Sequence, residues 1–271
     1  MPASAKDSPV TTRDFLALKA AGKKIVVVTA YDALFGRLVD EAGVDSVLVG
    51  DSVNQVLCGE PSTVSATLDQ MIYHARAVRR GVARALLVVD LPFLSYQVSR
   101  EDALRNAGRV MKETGASAVK LEGGAAMAET VRALVEIGIP VMGHLGLTPQ
   151  SVHALGGYRV QGREEEAARR LESDAAALET AGAFAIVLEL VPAALAAKVT
   201  AARGVPTIGI GAGAQCDGQV LVLPDLLGLN DGFAPKFLKR YASLADEVRS
   251  AVGRFGDEVR RGAYPGAEHS F

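Results

Sequence analysis

The chain has 271 residues, and its 29 Lys and Arg against 31 Asp and Glu give a formal net charge of −2 with no basic block, which argues against an electrostatic nucleic-acid partner. Charge or glycine breaks the longest apolar stretches well before the roughly 20 residues that a membrane-spanning helix needs, and the first seven residues, Met-Pro-Ala-Ser-Ala-Lys-Asp, hold no apolar signal core, so a cytoplasmic location without membrane contact is expected. Cys58 and Cys216 lie outside any C-x-x-C spacing and read as two small semi-buried thiols, with no disulfide framework or thiolate metal site.

The elements follow in chain order. Thr12-Arg-Asp-Phe-Leu-Ala-Leu-Lys-Ala-Ala opens a short capped helix, within about residues 10–22, placed where it can close the amino-terminal mouth of a barrel. The first apolar run is Lys24-Ile-Val-Val-Val-Thr-Ala. Five later runs each end on an ionisable group: Asp45-Ser-Val-Leu-Val-Gly at Asp51, Ala85-Leu-Leu-Val-Val at Asp90, Ser117-Ala-Val at Lys120-Leu-Glu122, Ile139-Pro-Val-Met-Gly at His144, and Phe184-Ala-Ile-Val-Leu at Glu189. Near-continuous Val, Ile, Leu and Ala runs are the mark of buried parallel strands. Between the runs, Ser99-Arg-Glu-Asp102 starts a helix as a loose capping box, with Ala103, Leu104, Ala107, Val110 and Met111 as its inward stripe. Pro192 reads as a first-turn proline of the short helix that Gly204 ends. Glycines at 22, 43, 81, 115, 138, 182 and 204 each close a helical stretch, and Gly218-Gln-Val-Leu-Val-Leu adds an eighth strand before Pro224. The tail, residues 262–271, has little periodicity and is expected to be mobile. A (β/α)8 barrel typically needs about 250 residues. With no linker dividing the units, residues 1–271 read as one α/β domain, a (β/α)8 TIM barrel with an N-terminal capping helix.

The polar strand ends carry the chemistry, because parallel α/β folds place their sites at the carboxyl ends of the strands. Asp51 and Asp90 can hold one hard divalent cation, with magnesium the best match to oxygen ligands that lack a thiolate or a histidine pair; either carboxylate can instead cap the following turn. Strand alternation puts Lys120 and Glu122 on one face, the lysine toward an anion and the glutamate toward the cation, against a surface ion pair as the plain alternative. Glu189, isolated between Leu188 and Leu190, reads as a general base, with a buried structural pair as the alternative. His144 is either a substrate contact or a structural donor. Gly209-Ile-Gly-Ala-Gly-Ala nominally fits a dinucleotide fingerprint, but Gln215-Cys-Asp-Gly continues as a turn, so the glycines serve either close approach to a ligand or a tight loop.

Taken together, Val49-Gly-Asp-Ser52, Asp69-Gln-Met-Ile-Tyr-His74, Asp90-Leu-Pro-Phe93, Val119-Lys-Leu-Glu-Gly-Gly124, Gly143-His-Leu-Gly-Leu-Thr-Pro-Gln150, Leu188-Glu189 with Val191-Pro192, Ile208-Gly-Ile-Gly-Ala-Gly213, Cys216-Asp-Gly-Gln-Val-Leu-Val222 and Pro235-Lys-Phe237 resemble the ketopantoate hydroxymethyltransferase family, in the family's order. The resemblance implies a magnesium-dependent barrel that moves a one-carbon unit from 5,10-methylenetetrahydrofolate to 3-methyl-2-oxobutanoate, through a magnesium-stabilised enolate, in pantothenate and coenzyme A synthesis. It makes Asp51 and Asp90 direct magnesium ligands and Glu122 a nearby metal-site carboxylate acting directly or through water. Asp51, Ser52, Asp90 and Lys120 would contact the 2-oxo acid, Glu189 would be the base, and His144 an accessory group. The family's homodecamer is implied in the same way.

The chain departs from the family pattern after Ser52, where Val53-Asn54-Gln55 replaces the usual Gly-Met pair, and again at Thr63-Val-Ser-Ala-Thr67, where a proline is common. The alternatives are a magnesium-dependent lyase that cleaves C–C bonds of 2-oxo acids, as in the phosphoenolpyruvate mutase and isocitrate lyase superfamily, a catalytically silent barrel used as a scaffold, and a Schiff-base aldolase on Lys120. Neither cysteine stands in the Lys-Lys-Cys-Gly-His type loop usual in those lyases.

Overall fold

A computed structural model of the chain describes residues 8–271; the first seven residues, read above for a signal core, lie outside the described residues. Two compact units are present, one ending at Val222 and one spanning Leu223–Phe271. In the first, eight strands pair in parallel and in sequence order to close a barrel: β1 Ile25–Thr29, β2 Ser46–Val49, β3 Leu86–Asp90, β4 Ala118–Glu122, β5 Val141–Gly146, β6 Ala185–Glu189, β7 Thr207–Ile210 and β8 Gly218–Leu221. Its helices are α1 Thr12–Ala20, α2 Ala33–Glu41, α3 Val53–Val56, α4 Leu68–Gly81, α5 Arg100–Thr114, α6 Ala128–Glu136, α7 Glu165–Thr180 and α8 Ala193–Ala202. This is the expected (β/α)8 architecture.

Strand alternation sorts the side chains. Ile25, Val27, Leu48, Leu86, Val88, Ala118, Met142, Ala185, Val187, Ile208 and Val220 pack into one cluster with Phe15 and Phe184. On β3 the set continues from Leu86 and Val88 to Asp90, on β4 from Ala118 to Lys120 and Glu122, on β5 from Met142 to His144, and on β6 from Ala185 and Val187 to Glu189. Because period-2 alternation keeps these residues on one face, the same row is apolar at one end of the strand and ionisable at the other. The expectation for α1 holds: its Phe15 is fully buried in the cluster, with its ring edge-on to Phe184 at 5.6 Å. Burying such a side chain contributes about 1.5–3 kcal/mol.

Local expectations hold in part. Ser99 caps α5, accepting the Asp102 N–H at 3.1 Å. Pro192, by contrast, occupies the cap position ahead of α8, which stops at Ala202, two residues before Gly204. Gly81 is the last residue of α4 and serves packing: a Cβ there would lie 2.2 Å from the Ala33 carbonyl oxygen of α2. No helix joins β7 to β8; residues 211–217 turn back directly, with Gly211 and Gly213 at φ 63° and 86°. The glycine string is therefore a tight loop, since a connection this short needs left-handed backbone that glycine adopts without strain. Cys58 is exposed after α3 and Cys216 is fully buried beneath the β7–β8 turn, so neither is semi-buried.

In the second unit, helices α9 Leu223–Leu226 and α10 Leu244–Arg260 are followed by a single 3-10 turn at Ala267–His269, and Tyr264 packs edge-on to Phe255 at 5.4 Å. Arg240 donates to the carbonyls of Asn230, Asp231 and Phe233, and so organises the bend between the two helices. Among the described residues no helix is long and apolar enough to cross a membrane.

One tie that the sequence did not announce joins α2 to the start of β3. The buried Asp40 carboxylate accepts the N–H groups of Ala83, Arg84 and Ala85 at 2.8, 3.0 and 2.6 Å. Burial opposes its charge, but these donors outweigh burial and hold the carboxyl below its ordinary value. A depressed folded-state value stabilises the protein above the unfolded pKa of about 3.9 and loses that contribution as pH falls through the folded value. Asp40→Ala is therefore expected to lower the unfolding free energy by about 1–3 kcal/mol at pH 7. In urea titrations the difference should shrink below pH 4, and a deficit independent of pH would contradict the charge-based account.

Candidate functional site

The register of the barrel brings the polar strand ends together. Asp90 lies opposite Lys120, Glu122 opposite His144, and Gly146 opposite Glu189. Lys120 Nζ stands 3.0 Å from Asp90 Oδ1 and 3.1 Å from His144 Nδ1. His144 Nδ1 is 3.4 Å from Glu122 Oε1, while its Nε2 is 3.2 Å from Glu189 Oε2. Asp51, just past β2, joins the group through its backbone N–H, which donates to Asp90 Oδ2 at 3.0 Å. Ser52 Oγ pairs with the Tyr31 hydroxyl at 2.8 Å. Asp51, Asp90, Lys120, Glu122 and His144 are each at most 5% exposed, whereas the Glu189 side chain keeps 17%, leaving it the most open of the six.

Close backbone approach sets the position of Glu189. Gly146, at φ 93°, could not carry a side chain, because a Cβ would fall 2.2 Å from the Glu189 carbonyl oxygen. The same carbonyl accepts the Leu147 N–H at 2.8 Å. The next residue, Leu190, is left-handed at φ 45°, a strained backbone of the kind that surrounding structure sustains at functional sites.

Charge is unbalanced at this mouth. Burial first, then Asp90 and Glu122, push the Asp51 carboxyl up to about 8. For Asp90, burial outweighs the favourable Lys120 and raises its value as well. Burial opposes the Lys120 charge, but Asp90, Glu122 and Asp51 more than compensate, so the ammonium holds its proton more tightly than usual. His144 is pushed up to about 9: burial and Lys120 disfavour its charge, and Glu122 and Glu189 overcome them. Lys120 can offer Nδ1 only protons, so in a neutral ring Nδ1 accepts from the ammonium and the Nε2 proton faces Glu189. In a protonated ring both nitrogens face carboxylates.

These features suit a hard cation. Asp90 Oδ1 and Glu122 Oε1 are buried yet carry no hydrogen bond of good geometry. An all-oxygen donor set with excess negative charge fits magnesium better than a thiophilic metal. Among the described residues no three His, Cys, Asp or Glu side chains form a ready metal cage.

Sequence reasoning missed two residues here. Gln150, in a 3-10 turn Pro149–Ser151 after β5, donates from Nε2 to Asp51 Oδ2 at 2.9 Å and from its backbone N–H to Glu122 Oε2 at 3.0 Å. Tyr96, buried after β3, donates to Gln150 Oε1 at 2.8 Å and accepts the Glu122 N–H at 3.0 Å. Neither is ionisable near neutral pH and neither ends an apolar run; the signals for Gln150 were its place after Thr148-Pro149 and at the end of a string shared with the family, which assigned it no role. The segment that departs from the family pattern is firmly built. Asn54, 2% exposed on α3, donates to the Ser62 carbonyl and Ser65 Oγ at 2.9 and 2.8 Å, and Gln55 donates to the Tyr158 hydroxyl at 3.0 Å.

Residues 9–267 match the model of the ketopantoate hydroxymethyltransferase family. The 3-methyl-2-oxobutanoate hydroxymethyltransferase of Pelobacter propionicus is 57% identical over 97% of each chain, and that of Moorella thermoacetica 58% identical over 98% of this chain and 99% of its own. Among solved structures the fold is similar to that of phosphonopyruvate hydrolase in complex with oxalate and Mg2+, with a TM-score of 0.60 and 16% identity over 96% of this chain and 93% of that one. It is also similar to 2,3-dimethylmalate lyase, a member of the phosphoenolpyruvate mutase and isocitrate lyase superfamily, with a TM-score of 0.60 and 18% identity over 97% of this chain and 92% of that one.

Among the described residues, Lys120 is the lysine that pairs with this cluster, through Asp90. Removing one partner of a buried ion pair typically costs about 3–5 kcal/mol. Lys120→Met should therefore lower the unfolding free energy by that order in a denaturant titration at pH 7. A midpoint unchanged from the parent would contradict the buried pairing.

Proposed function

The chain belongs to the ketopantoate hydroxymethyltransferase family, and on that premise we propose that it transfers the methylene carbon of 5,10-methylenetetrahydrofolate to 3-methyl-2-oxobutanoate, giving 2-dehydropantoate, in the cytoplasm and as the homodecamer the resemblance implies. The observation that carries this reading is the burial of Asp51, Asp90 and Glu122 near one ammonium, which pairs directly with Asp90, with a more open carboxylate, Glu189, beside them. Asp51 and Asp90 would hold magnesium, with Glu122 acting directly or through water. When bound, the ion supplies Lewis acidity at the keto oxygen and carboxylate of the 2-oxo acid.

The side chains account for the remaining steps. Lys120 places positive charge where the substrate anion sits, and Ser52, oriented by Tyr31, offers a hydroxyl at the end of β2. Glu189 removes the proton from C3; the C–H electron pair becomes the C2–C3 double bond of the enolate, and the proton stays on the carboxyl. His144 stands beside Glu189, its Nε2 at 3.2 Å from Glu189 Oε2. One water adds to the methylene carbon and gives its two hydrogens to the two folate nitrogens, so that tetrahydrofolate leaves and the carbon becomes a carbonyl at the aldehyde level; C3 then attacks that carbon, the carbonyl π pair moves to its oxygen, and the oxygen takes the proton held on Glu189, which restores the base. The lyase and silent-barrel alternatives lose weight because relatives above 50% identity carry the transferase name, while the lyase likeness is one of fold.

Two variants test the assignments. Glu189→Gln keeps shape without basicity, so exchange of the C3 proton for deuterium, followed by NMR with magnesium and no folate, should fall by about 10²–10⁴-fold. Exchange at the parental rate would require another base. Asp90→Ala leaves too few carboxylates for a cation that dehydrates reluctantly, so magnesium-dependent binding of the 2-oxo acid should disappear in calorimetric titration; unchanged affinity would remove Asp90 from the metal site.

A further inference from the structure

Each buried carboxylate of the site gives one oxygen to a protein donor. Asp90 Oδ2 accepts the Asp51 N–H, Asp51 Oδ2 accepts Gln150 Nε2, and Glu122 Oε2 accepts the Gln150 backbone N–H. Two of these three restraints come from one neutral residue, 4% exposed, on the loop after β5. Its orientation follows from the hydrogen bonds around it. The Glu122 N–H donates to the Tyr96 oxygen, and the single hydroxyl proton has two acceptors, Gln150 Oε1 at 2.8 Å and the Glu122 carbonyl at 3.1 Å, of which Gln150 Oε1 is the nearer. Gln97 Nε2 donates to the same oxygen at 3.1 Å. The amide nitrogen must then face the other way, and its two protons reach Asp51 Oδ2 at 2.9 Å and the Leu91 carbonyl at 3.0 Å. All four bonding positions of the amide are filled, so a flipped Gln150 would set oxygen against two acceptors and nitrogen against two donors.

We infer that Gln150, held by Tyr96, is a positioning residue that pins one oxygen of Asp51 and one of Glu122 and so presents the remaining oxygens of both carboxylates to a divalent cation. This inference rests on the magnesium reading of the site. Gln150 bridges residues from two separated strand ends, β2 and β4, that no strand pairing connects directly. A neutral amide also orients the carboxylates without cancelling the charge that attracts the cation. Partners of this kind typically change metal affinity by about 10–100-fold when removed.

The test uses the full-length protein and manganous ion, followed by electron paramagnetic resonance, with melting by circular dichroism alongside. Gln150→Met, close in size but without amide bonds, should weaken manganese binding by about 10–100-fold. The KM for magnesium in the transferase assay should rise by a larger factor than kcat falls, a split that a general loss of folded protein would not produce. Tyr96→Phe, which removes one donor to Gln150 Oε1 and the acceptor of the Glu122 N–H, should weaken manganese binding in the same direction. If Gln150→Met does not fold, Tyr96→Phe decides alone. Binding within twofold of the parent in the folded variants would overturn the inference while leaving the metal reading intact, and a parent that binds no manganese would overturn both.

Discussion

Three carboxylates are buried around one lysine, and the rest of the site is organised by the need to tolerate that imbalance. Burial and mutual repulsion raise the values of Asp51 and Asp90, and Lys120 answers only part of the excess. Charges taken out of water persist when they are paired, hydrogen-bonded or bound to metal. All three remedies are visible or provided for here: the Lys120–Asp90 pair, the donors on Asp51, Asp90 and Glu122, and the buried oxygens of Asp90 and Glu122 that lack a good hydrogen bond.

The barrel makes this concentration of charge affordable. The inward rows of β3 to β6 begin in the apolar cluster that Phe15 of α1 helps to fill, and only their last positions are ionisable. The lower interior is therefore a packed apolar cluster, which supports the strand ends to which the ionisable side chains are attached. Sites on strands are held more precisely than sites on loops. Asp51 is the exception among the carboxylates, since it lies just past β2, and its backbone N–H is bonded to Asp90.

The legible part of the fold and of the site followed from strand physics. A buried strand writes itself as an apolar run, and an ionisable residue at its end is conspicuous, which is why Asp51, Asp90, Lys120, Glu122, His144 and Glu189 could all be named before any coordinates. Gln150 and Tyr96 could not, because polar residues in loops have many ordinary uses and their partners come from distant turns. Asp40 was hidden for a similar reason: a carboxylate late in an amphipathic helix reads as solvated until three N–H groups close on it. Gly81 does end its helix as expected, but helix packing, not backbone reversal, requires glycine there. The string at 209–214 was ambiguous because a close ligand approach and a tight β7–β8 turn both call for glycine.

The central claim is that these converging residues perform one-carbon transfer to a branched 2-oxo acid. The most direct measurement is mass-spectrometric detection of 2-dehydropantoate from 3-methyl-2-oxobutanoate and 5,10-methylenetetrahydrofolate, with magnesium and again with a chelator. The account predicts product with the metal and none once it is removed. Absence of product in both conditions, or equal product in both, would contradict it.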